Sequence, residues 1–178
     1  MTDALKKRRE GGAGRLAALG LLTALGLAAS YAETLIPVPV GIPGIKLGLA
    51  NLVAVWALYD MGPGDALGVN LLRILLAGFL FGNLSMILYS LAGAALSFCC
   101  MYLAKRSGLF SLCGVSVIGG VTHNIGQLLT AMAVLESVNL VYYGPVLLAA
   151  GTVTGLLVGV MTVEIRKRLP AGLWRTGQ

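Results

Sequence analysis

The stretch Gly68–Asn83, GVNLLRILLAGFLFGN, constrains this chain more than any other. It is an apolar run with one arginine, Arg73, in its middle, opened by Pro63-Gly64 and closed by Gly82-Asn83. Ten residues separate Pro63 from Arg73, which as helix is roughly 15 Å of rise. That is half the thickness of a ~30 Å hydrocarbon core. An arginine at that depth costs several kcal/mol if it faces lipid, so it has to face other helices or a wet cavity. The remaining apolar runs are then what surrounds it.

Composition places the chain in the membrane. It has 178 residues, of which 57% are hydrophobic and 11% charged, and its mean hydropathy is +0.88. A soluble domain carries about 25% charged residues. The expectation is an all-α integral membrane protein, a bundle of six transmembrane helices spanning residues 15–168. A basic tail, 1–14, precedes it and a second tail, 169–178, follows, both on the cytoplasmic side. Cys99, Cys100 and Cys113 lie in or beside apolar runs without metal-ligand spacing and read as small packing residues.

Helix 1 is predicted over about Arg15–Ala32. Gly20, Ala24 and Ala28 lie four residues apart on it, a ridge that lets another helix backbone approach closely. The ridge serves either packing inside the monomer or docking of another membrane subunit. The segment ETLIPVPVGIPGI, residues 33–45, follows; Pro37, Pro39 and Pro43 forbid regular helix. An apolar, stiff loop at a membrane surface should pack onto something, and a lid over a cavity is one such use. Helix 2 is predicted over Lys46–Tyr59, helix 3 over the opening stretch, and helix 4 over Leu84–Lys105, with Ser85, Tyr89, Gly93 and Ser97 as a small and polar ridge. Residues 110–136 are too long for one upright helix, so an interfacial start near Phe110 and a span from about Ser116 are expected. Ser116, Gly120, His123, Gln127 and Thr130 repeat there at helical spacing, with Asn124 alongside. A polar stripe of this kind looks inward. Helix 6 is predicted over Gly144–Glu164, with Gly151, Gly155 and Gly159 as a second packing ridge.

The basic residues set the orientation. Of thirteen Lys and Arg, eleven flank helix 1, the fourth connection or the end of helix 6. Six spans with both termini inside put all eleven on the cytoplasmic face, as the positive-inside rule requires. The net charge of +6 is therefore topological, and no nucleic-acid partner is needed. Lys46, beside the Pro-rich loop, and Arg73 are the two left over.

The segments PGIKLGLAN (Pro43–Asn51), LLRILLAG (Leu71–Gly78) and GGVTHNIGQLL (Gly119–Leu129) resemble the Gx transporter family, also labelled heptaprenyl diphosphate synthase component I. The likeness runs from helix 1 to helix 6. That family is similar to the substrate-binding S components of energy-coupling-factor (ECF) vitamin transporters. The resemblance implies six helices and cytoplasmic termini. It also implies a substrate held near the outer face by the loop after helix 1 and by helices 4 to 6. A transmembrane coupling subunit with ATPases would dock on small residues of helix 1, a place that Gly20, Ala24 and Ala28 fill here.

On this reading the chain is a membrane-embedded binding subunit for a small, partly anionic molecule. Asn83, Tyr89, His123, Asn124 and Gln127 supply hydrogen bonds, Lys46 supplies charge from the lid edge, and Arg73 either reaches the ligand or braces the bundle. The alternative is that these polar residues bond to one another and hold the bundle together. Catalysis of prenyl diphosphate chemistry is not expected, because it needs clustered carboxylates to hold Mg²⁺. Asp3, Glu10, Glu33, Asp60, Asp65, Glu136 and Glu164 form no aspartate-rich cluster. No Walker loop or zinc pattern is present either, so no cofactor is expected. A non-catalytic membrane partner of a polyprenyl diphosphate synthase is the second reading.

Overall fold

The computed structural model describes residues 3–35, 48 and 50–168. These residues are all-helical. The helices are α1 (Asp3–Leu35), α2 (Asn51–Asp60), α3 (Pro63–Phe81), α4 (Leu84–Ser107), α5 (Leu112–Val134) and α6 (Gly144–Arg168), with a short 3-10 helix, Val138–Tyr143, before α6. Five segments are long and apolar enough to cross a membrane: Gly12–Leu35, Pro63–Phe81, Leu84–Ser107, Leu112–Val134 and Val138–Arg168. The chain is thus a multi-pass membrane protein. The Pro-rich segment 36–47, with Lys46, lies outside the described residues.

Three boundaries differ from those expected. α1 begins at Asp3 rather than Arg15, because DALKKRRE consists mostly of good helix formers. It also runs on to Leu35, which carries Glu33 into the helix and buries it at 6% exposure. α5 is one continuous helix from Leu112, its first turn closed by the Ser111 hydroxyl accepting from Gly114 N at 3.2 Å. That N-cap removes the need for a separate interfacial start. α2 has only ten residues, about 15 Å of rise, and does not span by itself. Val53, Ala54, Val55, Trp56, Ala57 and Leu58 are all buried, so α2 is an internal strut, apolar on every side.

α1 and α3 run parallel. Arg15 pairs with Asp65 at one end, with Nε donating to Oδ2 at 3.1 Å. Tyr31 meets Phe81 edge-on at the other, their ring centroids 5.5 Å apart. Sixteen residues separate the contacts on each helix, 15 to 31 and 65 to 81. The second half, α4 to α6, is packed backbone against backbone. A Cβ on Gly126 would lie 2.8 Å from Gly93 Cα, and one on Gly155 would lie 2.7 Å from Val117 Cα. Ser97 Oγ donates to Gly119 O at 2.9 Å and Ser116 Oγ to Gly155 O at 2.7 Å.

The two halves are tied at one end by the C-terminus of α2. Lys105 Nζ donates to Leu58 O at 2.6 Å and lies 4.8 Å from the centre of the Tyr59 ring. Arg166 covers Tyr59 at 5.4 Å and its Nη2 donates to Asp60 Oδ1 at 3.1 Å. Arg15, Lys105 and Arg166, from α1, α4 and α6, thus gather around the α2–α3 turn. The start of α1 and the end of α6 lie at the same end of the bundle.

The Gly20–Ala24–Ala28 ridge faces outward: all three are exposed, and nothing lies within 4 Å of a Cβ placed on Gly20. Packing inside the monomer is therefore not its use. α1 packs through Ala18, Leu22, Gly26 and Ser30 instead. Gly155→Leu should consequently lower the thermal midpoint in detergent, by about 1–3 kcal/mol of overpacking or more. Gly20→Leu should leave it unchanged. Equal melting curves for the two variants would contradict the packing described.

Candidate functional site

Arg73 projects from α3 into the bundle at 8% exposure. Its path is opened by Gly26 of α1, where a Cβ would lie 2.8 Å from Arg73 Cδ. Nη1 donates to Ser30 Oγ at 3.1 Å and Nη2 donates to Asn70 Oδ1. Ser30 and Asn70 are themselves buried, at 1% and 4%. Asn70 is one turn before Arg73 and shares its face. Neutral oxygens on two helices thus disperse part of a charge that hydrocarbon would not tolerate. Arg73 Nε has no partner among the described residues.

Arg73 lines an open cavity between the two halves. The α1–α3 half contributes Ser30, Glu33, Asn51 and Arg73, and the α4–α6 half contributes Ser90, His123 and Gln127. Ile74, Ala77, Gly78 and Met86 fill the apolar part of the wall. Glu33 and Arg73 are the charged residues among the described lining. The His123 ring rests on Gly93, its Cε1 3.0 Å from where a Cβ would stand. His123 Nδ1 is buried without a partner among the described residues.

The stripe on α5 divides in two. His123 and Gln127 turn to the cavity, whereas Asn124, at 6% exposure, turns to α6. Asn124 Nδ2 donates to Leu147 O at 2.8 Å, so it joins helices, as Ser116 does. Asn83 is exposed and caps α4, its Oδ1 accepting from Met86 N at 2.8 Å. Tyr89 is buried, and it is not among the residues lining the cavity. Of the expected binding residues the structure therefore brings Arg73, His123 and Gln127 together. It places Asn83, Tyr89 and Asn124 elsewhere, and Lys46 lies outside the described residues.

Ser30, Glu33, Asn51 and Ser90 line the same cavity and were not anticipated. Ser30 and Glu33 lie three residues apart, on one helix face, and extending helix 1 past Ala32 would have exposed that signal. Among the described residues no three His, Cys, Asp or Glu side chains are grouped to hold a metal. A second, smaller cavity shares Gly48 and Asn51 with the first and lies among Val55, Met101, Gly119 and Val158.

Two stability effects follow from this division. Asn124→Ala should destabilise the bundle by about 0.5–2 kcal/mol, the range for hydrogen bonds between membrane helices, and by more than Gln127→Ala. Arg73→Ala should lower the thermal midpoint of the ligand-free protein, because Ser30 and Asn70 lose their donor, about 1–3 kcal/mol for a buried polar group. Melting curves in detergent check both, and an unchanged Arg73→Ala midpoint would remove Arg73 as a structural brace.

The chain belongs to the family described as heptaprenyl diphosphate synthase component I, which it matches over residues 22–165. No curated protein and no solved structure matches it.

Proposed function

We propose that the chain is a membrane-embedded substrate-binding subunit for uptake of a small, partly anionic molecule, working with separate energising subunits. The observation that carries this reading is the open polar cavity inside an apolar bundle, with Arg73, His123 and Gln127 on its walls. A bundle held together by polar glue alone would close its polar groups on one another, as Asn124 and Ser116 do. Arg73 Nε and His123 Nδ1 are instead without partners among the described residues. Lys46, from the segment after α1, is assigned to the same site as a second positive charge.

The outward Gly20–Ala24–Ala28 ridge is assigned to docking a transmembrane coupling subunit that carries the ATPases. Its exposure supports this use, since small residues let helix backbones approach closely. The basic end of the bundle, with Arg15, Lys105 and Arg166, is assigned to the cytoplasmic face of the cell membrane by the positive-inside rule. Residues 1–14 and 169–178 are then cytoplasmic tails on the domain 15–168.

The family's name supports a second reading, a non-catalytic membrane partner of a polyprenyl diphosphate synthase. The name marks one component among others, and both readings require partner proteins. Native mass spectrometry of the gently purified protein separates them. The uptake reading expects a co-purified small polar molecule, and the other expects a prenyl synthase subunit with an empty cavity. Ala24→Leu should abolish capture of the coupling partner while leaving the thermal midpoint unchanged. Reporter fusions after Arg106 and after Gln178 should both read cytoplasmic; an external reading at either would sink the orientation.

A further inference from the structure

From Arg15 onward, the described cations at the basic end of the bundle have partners inside the fold, with one exception. Asp65 holds Arg15, Asp60 holds Arg166, and Glu164 holds Lys167 and Arg168. Lys105 turns inward to Leu58 O and the Tyr59 ring. Arg106 is exposed and has no hydrogen bond or ion pair among the described residues. Its guanidinium is free for something outside the chain.

Its position on α4 narrows what that is. Leu96, Cys99, Leu103 and Arg106 follow one another at three- and four-residue steps, and all four are exposed. That spacing is one helix face, a stripe the bundle leaves uncovered and that ends on the free cation. α4 has 24 residues, roughly 36 Å of rise, against a ~30 Å hydrocarbon core. Leu96 and Leu103 thus lie beside acyl chains, and Arg106 lies at the height of the lipid phosphates.

The turn that follows keeps two apolar side chains outside. Gly108, at φ +70°, ends α4 in the left-handed region. Ser107 Oγ donates to Ala104 O at 2.8 Å and accepts from Leu109 N at 3.3 Å, and Ser111 Oγ caps α5. The backbone is held locally, yet Leu109 is 84% and Phe110 48% exposed. At a membrane surface such a pair dips among acyl chains. A water-soluble anion would use the guanidinium alone. A phosphate joined to acyl chains uses the cation, the stripe and the turn together.

We propose that the end of α4 and the α4–α5 turn form a binding site for an anionic phospholipid. Its phosphate sits on Arg106, whose guanidinium grips two oxygens at once, and its acyl chains lie against Leu103, Leu109 and Phe110. A zwitterionic choline headgroup would bring a cation back beside Arg106 and Lys105, so an anionic headgroup is favoured. The site is separate from the polar cavity and does not depend on what the cavity binds.

The test uses the full-length protein in detergent, with dioleoyl phosphatidylglycerol, dioleoyl phosphatidylcholine and glycerol phosphate as probes. Native mass spectra should retain phosphatidylglycerol in preference to phosphatidylcholine, and glycerol phosphate should not displace it at equal concentration. Arg106→Gln should cut the retained phosphatidylglycerol about fivefold, the contribution of one basic residue at an anionic surface. Lys167→Gln removes the same charge from the same end and should leave retention unchanged. Both side chains are exposed, so neither substitution disturbs the packing. Leu109→Ser should weaken retention with the charge intact. Equal retention of the two lipids, equal loss in the two charge variants, or displacement by glycerol phosphate overturns the proposal. A partner protein lost on Arg106→Gln while lipid retention stays unchanged overturns it as well.

Discussion

A guanidinium in the middle of an apolar bundle sets the terms for everything near it. An unbalanced charge in a low-dielectric interior is costly, and in a membrane the protein has to supply what water would. Here it does so from two helices. Asn70 sits one turn before Arg73 on α3, and Ser30 reaches it from α1. Gly26 gives up its side chain so that the arginine can pass. The parallel course of α1 and α3, held by Arg15–Asp65 and Tyr31–Phe81, keeps these donors and acceptors in register. The arrangement leaves Nε without a partner among the described residues.

The other half of the molecule solves a different problem. Helices in lipid gain little from burying apolar surface against each other, because lipid tails are equally apolar. α4, α5 and α6 associate instead by bringing backbones close, with glycines at the crossings. Ser97, Ser116 and Asn124 then reach the carbonyls of the neighbouring helix. Polarity in this half is mostly spent on holding helices together. His123 and Gln127 are the two members of the α5 stripe that face the cavity.

Much of this was legible in the sequence. The inward direction of Arg73 followed from its cost in lipid, a term large enough to override any local preference. The glycine ridge of α6 was readable as packing because its spacing matches one helix face, and Gly151, Gly155 and Gly159 each meet the α5 backbone. The α5 stripe was readable only as a whole. His123 and Asn124 are adjacent, so they point about 100° apart, and one helix packed on two sides uses both directions. Periodicity gives a face but not its neighbour, which is also why the exposure of Gly20, Ala24 and Ala28 was open until the structure placed them. Glu33 was missed because the prolines suggested an earlier end to α1. Asn83 was assigned to binding although its position just before an apolar run is that of an N-cap.

The two walls of the cavity differ in how they are held. On the α5 side the support is main chain against main chain, with gaps too small for a methyl group, and close-packed matter of this kind is nearly incompressible. On the α1 side the contact with α3 includes the tips of long side chains, Arg15 on Asp65 and Arg73 on Ser30, which can pivot about several single bonds. The cavity is therefore a vice with one fixed and one sprung jaw. Any change in the enclosed volume is then taken up by displacement of α1 and α3, while the imidazole of His123, seated against Gly93 of α4, keeps its place.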